Sequence, residues 1–181
     1  PTKTSGAWMN SFREQERLVG DITPVIVNVM NLSPGAPGEP VLMSWDDADT
    51  LFHEFGHSLH GLLSDVNYRY LAGTSVQRDY VEFPSQVLEF YFASDDNLNR
   101  FARHYQTGEP MPAELIARIR AAQNFNQGFS TVEYMASAFI DMDLHMADPA
   151  GLDVAATEAA TLARLGMPQE IIARHRPTHF G

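Results

Sequence analysis

The chain has 181 residues, 44% of them hydrophobic, 10% aromatic and 19% charged, which is material for one packed domain and not a disordered polypeptide. The 12 Lys and Arg against 23 Asp and Glu leave a net charge of −11, which repels phosphate backbones and anionic lipid, so neither nucleic acid nor a membrane surface is an expected partner. Cysteine is absent, which removes disulfides, thiol nucleophiles and thiolate metal sites and leaves His and carboxylate as the ligands for any transition metal.

No run of about 18 apolar residues offers a membrane span. The opening PTKTSGAWMN does not begin with Met and has no hydrophobic signal core, so it reads as a cut into a longer chain; the ends do not decide the compartment, and a cytoplasmic location is the expectation. The first forty residues read as non-helical. Val25 to Met30 is β-branched and apolar and predicts a strand, Ser33 to Pro40 (SPGAPGEP) a loop, and Val41 to Met43 a second short strand. At Ser44 the pattern turns helical. Ser44 and Asp47 have capping-box spacing, Asp46, Asp47 and Asp49 suit a helix N-terminus, and Leu51, Phe52, Phe55, Leu59, Leu62 and Leu63 recur at helical spacing, predicting a helix over 46–64. A loop over 68–77 and a helix over 79–94 follow, with Pro84 in its first turns. Helices over 112–128, 129–147, 153–165 and 168–175 complete a mainly α fold with a small β element.

The chemistry sits on the first helix as HEFGH, His53 to His57. Two imidazoles four residues apart lie on one helical face and reach the same ion. Neutral histidines leave a zinc ion its full charge, which lowers the pKa of a water at its open position, and the adjacent Glu54 is placed to take that proton. The extended pattern HExxHxxGxxH requires Gly at 60 and His at 63; His60 and Leu63 stand there, so the metzincin arrangement fails. The third ligand is then a downstream carboxylate. Glu82 and Glu89 are seven apart on one helix face, and spacing alone does not choose between them.

Longer motifs do choose. LFHEFGHSLHGLLS (Leu51 to Ser64) followed by LAGTSVQRDYVEFPSQ (Leu71 to Gln86) resembles the thimet oligopeptidase family of zinc metallopeptidases. FNQGFSTVEYMASAFIDMDLH (Phe125 to His145) and SGAWM (Ser5 to Met9) are most similar to its bacterial peptidyl-dipeptidase branch. The resemblance implies the zincin-like HExxH-plus-Glu core of a larger, mostly helical peptidase, with one zinc on His53, His57 and Glu82, Glu54 as general base, and Glu89 in a supporting role. It implies oligopeptide substrates cut to release C-terminal dipeptides, with thimet-type endo-oligopeptidase action as the variant reading. It further implies that residues 1–181 are one fragment of the catalytic domain. The upstream helical wall of the channel and the downstream Tyr-rich substrate stretch then lie outside it, and the isolated fragment is expected to be weakly active or inactive.

Other residues have two readings. Asp49, four before His53, either accepts the imidazole's second N–H or serves as a helix N-terminal charge. His60 is expected to pack in the core or support the metal ligands without binding the ion, and Asp79 to cap the second helix or anchor the loop before it, with support of the metal ligands as its other reading. Tyr68, Tyr70 and Tyr80 are expected to pack, and Gly73 to Ser75 to form a loop over the cleft. A non-catalytic zinc module is the competing reading, and it needs His60 or Glu89 as a fourth, closing ligand.

Overall fold

The computed structural model describes residues 6–179, so Ser5 of the SGAWM motif and the last two residues lie outside the described residues. The chain divides into two compact units, one ending at Met111 and the other beginning at Pro112.

The first unit opens with a two-stranded antiparallel sheet, β1 (Trp8–Arg13) on β2 (Val25–Val29), with Trp8 opposite Val29 and Ser11 opposite Ile26. The register slips between Ser11 and Arg13, and Phe12 at that irregularity is 81% exposed. Strand β2 lies where its β-branched run predicts, whereas β1 (WMNSFR) has no such run and exists through its pairing. Val41 to Met43 forms no strand: it is exposed and, among the described residues, the sheet has two strands only. An extended segment without a partner ladder has nowhere to place its backbone hydrogen bonds except water.

Helix α1 (Trp45–Leu62) starts on the expected capping box, Asp47 N–H donating to Ser44 Oγ (3.0 Å) and Ser44 N–H to Asp47 Oδ2 (3.1 Å). Its buried positions are Glu54, Gly56, Ser58 and Gly61, while Phe55, Leu62 and Leu63 are exposed, so the predicted apolar ridge is not what this helix buries. The small residues let other backbones come close. A Cβ at Gly61 would lie 2.7 Å from Ile26 Cδ1 of β2, and one at Gly56 would lie 2.5 Å from Ser85 Cα and 2.6 Å from the Pro84 carbonyl oxygen. Beyond the helix, the Gln15 carboxamide exchanges two hydrogen bonds with the Val66 backbone, at 2.8 and 3.1 Å, tying the end of β1 to the chain leaving α1.

Helix α2 (Phe83–Phe92) begins four residues later than expected. Pro84 has no N–H to give the carbonyl of residue 80, and its ring clashes there, so residues 78–82 close as turns instead. Phe92 sits 4.7 Å from Trp45 and 5.1 Å from Phe52, ring centre to ring centre, which packs the far end of α2 on α1. A short α3 (Asp95–Phe101), capped by Ser94, follows and was not predicted.

The second unit holds α4 (Ala113–Ala122), α5 (Gln127–Met146) and α6 (Val154–Arg164). The predicted boundary between the first two moves back because Asn126 takes a left-handed φ of 55° and breaks the run. Residues 168–175 form turns and not a helix; Gly166 at φ 70° and Pro177 bound a stretch too short to nucleate alone, and Arg176 anchors it to the buried Glu158 at 2.9 Å. Asp143 of α5 receives the Thr161 hydroxyl at 2.5 Å and the Arg164 guanidinium, both from α6. Among the described residues, no helix is long and apolar enough to cross a membrane.

Two outcomes follow from this packing. Gly56→Ala forces α1 and α2 apart and should destabilise the first unit by about 1–3 kcal/mol, read as a lower urea midpoint. The Thr161 hydroxyl first, with Arg164 adding to it, holds the Asp143 carboxyl below its ordinary value against the opposing effect of desolvation. A carboxylate with a depressed folded-state pKa contributes stability above its unfolded value and loses it as pH falls through the folded one. Asp143→Asn should therefore lower the melting temperature at pH 7, with the gap to the parent closing below pH 4, the acidic edge of the ordinary carboxylate range.

Candidate metal centre

The first helix fixes two of the groups. His53 and His57 stand one turn apart on α1 with ring centres 4.9 Å apart and planes at 85°. The third arrives from α2, whose N-cap residue is Glu82. Its Oε2 lies 3.2 Å from His53 Nε2 and 3.2 Å from His57 Nε2. Ser85 Oγ lies 2.9 Å from both this Oε2 and the Glu82 carbonyl oxygen, so one hydroxyl hydrogen is shared between them and the carboxylate is held near its own backbone.

These donors fit a small dication. The three ligand atoms all lie within 4.8 Å of one another. Zinc bonds of about 2.0–2.2 Å in a tetrahedron put donor atoms about 3.3–3.6 Å apart, close to the two 3.2 Å separations. The proton inventory agrees. His53 Nδ1 lies 2.5 Å from Glu89 Oε1, and a carboxylate oxygen there accepts the ring N–H. With that proton on Nδ1, Nε2 is the nitrogen available to ligate, and it faces the Glu82 oxygen and the cleft.

The surroundings leave one side accessible. Glu54, 8% exposed, lines a cleft of about 350 Å³ together with His53, His57 and Glu82. Trp8 and Met9 of β1 and Thr74 and Val81 complete that lining. Glu89 meets the Nδ1 edge of His53, opposite the edge facing Glu82, and so does not close the group as a fourth ligand. His60 is also outside the convergent group. Its Nδ1 is buried without a partner, its ring stands edge-on to Tyr80 at 6.2 Å, and burial first, then His57, lower its pKa.

The remaining predicted residues divide. The imidazole N–H that Asp49 was expected to accept goes to Glu89; the Asp49 carboxyl sits above its ordinary range through burial first and then the Glu89 charge, with His53 pulling the other way. Asp79 does not cap α2, because the cap position falls on Glu82 and carries no side-chain cap bond; Asp79 is exposed in the preceding turn. Tyr68 and Tyr70 are exposed, and Tyr80 stacks on Phe83 at 5.3 Å. Thr74, beside Gly73 at a left-handed φ of 53°, does line the cleft. Sequence reasoning overlooked Ser85, Gly56 and the two β1 residues. A serine three residues past the acid is a signal for the first, while the others have none outside the fold.

The family model described as Peptidase family M3 matches residues 1–181. A dipeptidyl carboxypeptidase of Salmonella typhimurium is 43% identical over 99% of this chain and 27% of its own length. The Escherichia coli dipeptidyl carboxypeptidase is 48% identical over 80% of this chain and 21% of its own, and a thimet-like oligopeptidase of Dictyostelium discoideum is 36% identical over 70% and 19%. The chain thus spans 19% to 27% of the length of these relatives. With the family match running through both units, the chain belongs to peptidase family M3, the thimet oligopeptidase family that its motifs resemble.

Proposed function

We propose that the chain carries the zinc-binding and proton-transfer part of a peptide hydrolase that releases C-terminal dipeptides from oligopeptides. The observation that carries this reading is the convergence of His53 Nε2 and His57 Nε2 on one oxygen of Glu82, with Glu54 in the same cleft. Family membership supports hydrolysis of peptides, and the names of the two bacterial relatives support the dipeptide product.

In this reading His53, His57 and Glu82 hold the ion through one face and leave the cleft side open. When bound there, zinc supplies Lewis-acid polarisation of a water and of the scissile carbonyl. Glu54 takes the proton from the attacking water and returns it to the leaving amine, the role a carboxylate in a largely buried, cleft-lining position performs. Ser85 and the α2 N-terminus keep the Glu82 carboxylate in place. The peptide lies extended across the cleft, with Trp8 and Met9 making β1 the strand beside it.

The chain acts as part of a longer polypeptide. The support for this is the length of the relatives, of which the chain covers 19% to 27%. Donors for the oxyanion, worth about 10²–10³ in kcat, are then supplied from outside these residues.

Two measurements check the assignments. Equilibrium dialysis should find one zinc per chain for the parent and for Glu54→Gln, and none retained by Glu82→Ala. In a protein of the relatives' length carrying this chain, Glu54→Gln should cut hydrolysis by about 10²–10⁴-fold with zinc still bound. Full activity of that variant refutes the base, internal cleavage products replace the dipeptide reading with an endopeptidase, and brisk hydrolysis by the 181 residues alone refutes the need for further chain.

A further inference from the structure

A single helix reaches both edges of one imidazole. Glu82, at the start of α2, places Oε2 3.2 Å from His53 Nε2; Glu89, two turns further along the same helix, places Oε1 2.5 Å from His53 Nδ1. Seven helical residues advance about 10.5 Å, enough to carry two carboxylates past opposite sides of a five-membered ring. His57 has no such arrangement, for its Nδ1 is buried and without a hydrogen-bond partner. The two histidines of the motif are therefore held differently: His53 by a charged acceptor, His57 by packing.

We infer that Glu89 is the positioning residue for His53, accepting its Nδ1–H so that the ring is held with Nε2 aimed at the metal position, and that tight metal binding depends on this one bond. The inference rests on the zinc reading above. A carboxylate behind a ligating imidazole fixes the tautomer, stops rotation about the Cβ–Cγ bond and raises the basicity of the far nitrogen; loss of such a partner generally costs 10- to 100-fold in metal affinity. Glu89 is suited to the task because it sits on a helix whose distance from α1 is already set at Gly56, and because its side chain and that of His53 are only 35% and 25% exposed, so water competes weakly for the N–H. Asp49 is the other acidic group near the ring, and its carboxylate is the less favoured acceptor, burial and the Glu89 charge both disfavouring its ionised form.

The test is the zinc affinity of a protein of the relatives' length carrying this chain, and of its Glu89→Gln, Glu89→Ala, Asp49→Asn and His53→Ala variants, measured by competition with a chromophoric chelator. Imidazole ¹⁵N spectra of the zinc-loaded proteins accompany it. Glu89→Gln keeps an acceptor oxygen without the charge and should bind about tenfold more weakly, with the His53 Nδ1–H still slow to exchange. Glu89→Ala should approach a 100-fold loss, with that proton exchanging fast and the His57 signals unmoved, a selectivity that general damage to the fold does not produce. If the parent and Glu89 variants bind zinc alike while His53→Ala does not bind, the inference is overturned and the metal site stands. If weakening appears in Asp49→Asn and not in the Glu89 variants, the role belongs to Asp49. If the parent binds no zinc, the metal reading itself fails and this inference falls with it.

Discussion

The candidate metal centre depends on how closely α1 and α2 approach at Gly56. A glycine there lets the Pro84–Ser85 backbone of α2 occupy the space a side chain would fill, as the 2.5 and 2.6 Å positions of a hypothetical Cβ measure. Glu82 lies two residues before Pro84 of that contact, so its carboxylate arrives beside His53 and His57, three residues before Gly56 and one after it. A carboxylate reaches only a short way from its backbone, and moving α2 out by the width of one methyl group would take Oε2 out of the range of both Nε2 atoms. Packing and chemistry are here a single constraint.

Charge placement follows from that geometry. The first unit brings Glu82, Glu89, Glu54 and Asp49 near two imidazoles, a collection of like charges that would repel in an apolar setting. They are kept apart by place: Glu82 and Glu89 take opposite edges of one ring, Glu54 faces the cleft, and the Asp49 carboxyl is raised by burial first and by the Glu89 charge after it. A dication on the open side of the histidines lowers the cost of this arrangement, which is the electrostatic form of the fit already visible in the distances.

Much of this was legible in the sequence, and what was not has a common cause. Ser44 and Asp47 announced the start of α1, and the four-residue spacing of His53 and His57 placed both rings on one face, because capping and helical period are local. The choice of Glu82 over Glu89 required longer motifs, since both lie on the same face. What escaped was set by contacts between segments distant in sequence. The strand WMNSFR forms because β2 lies alongside it, and the exposure of Phe55 and Leu63 contradicts their periodicity because Gly56, Ser58 and Gly61 make the close contacts instead. Asp79 missed the cap because Pro84 shortened the helix ahead of it.

These two helices also bear on how binding and folding are linked. The first unit's most deeply buried residues include Gln15, Glu54, Ser58, Ser85 and Ala72, which offer little apolar area, so the hydrophobic term that usually dominates is modest at the junction. The α1–α2 pair is held by the aromatic contacts of Phe92, by the backbone fit at Gly56 and by polar bonds across it. An ion that binds His53, His57 and Glu82 binds only the folded pair, because the ligands come from both helices and are 29 residues apart at their extremes. By mass action it stabilises that pair by about 2.7 kcal/mol at a hundredfold excess over its Kd. Such a term is comparable to the loss of a well-packed core side chain. On the proposed reading a metal would be a structural tie between the helices as well as a reagent, and Glu89 and Gly56 would act on stability and on chemistry through the same contacts.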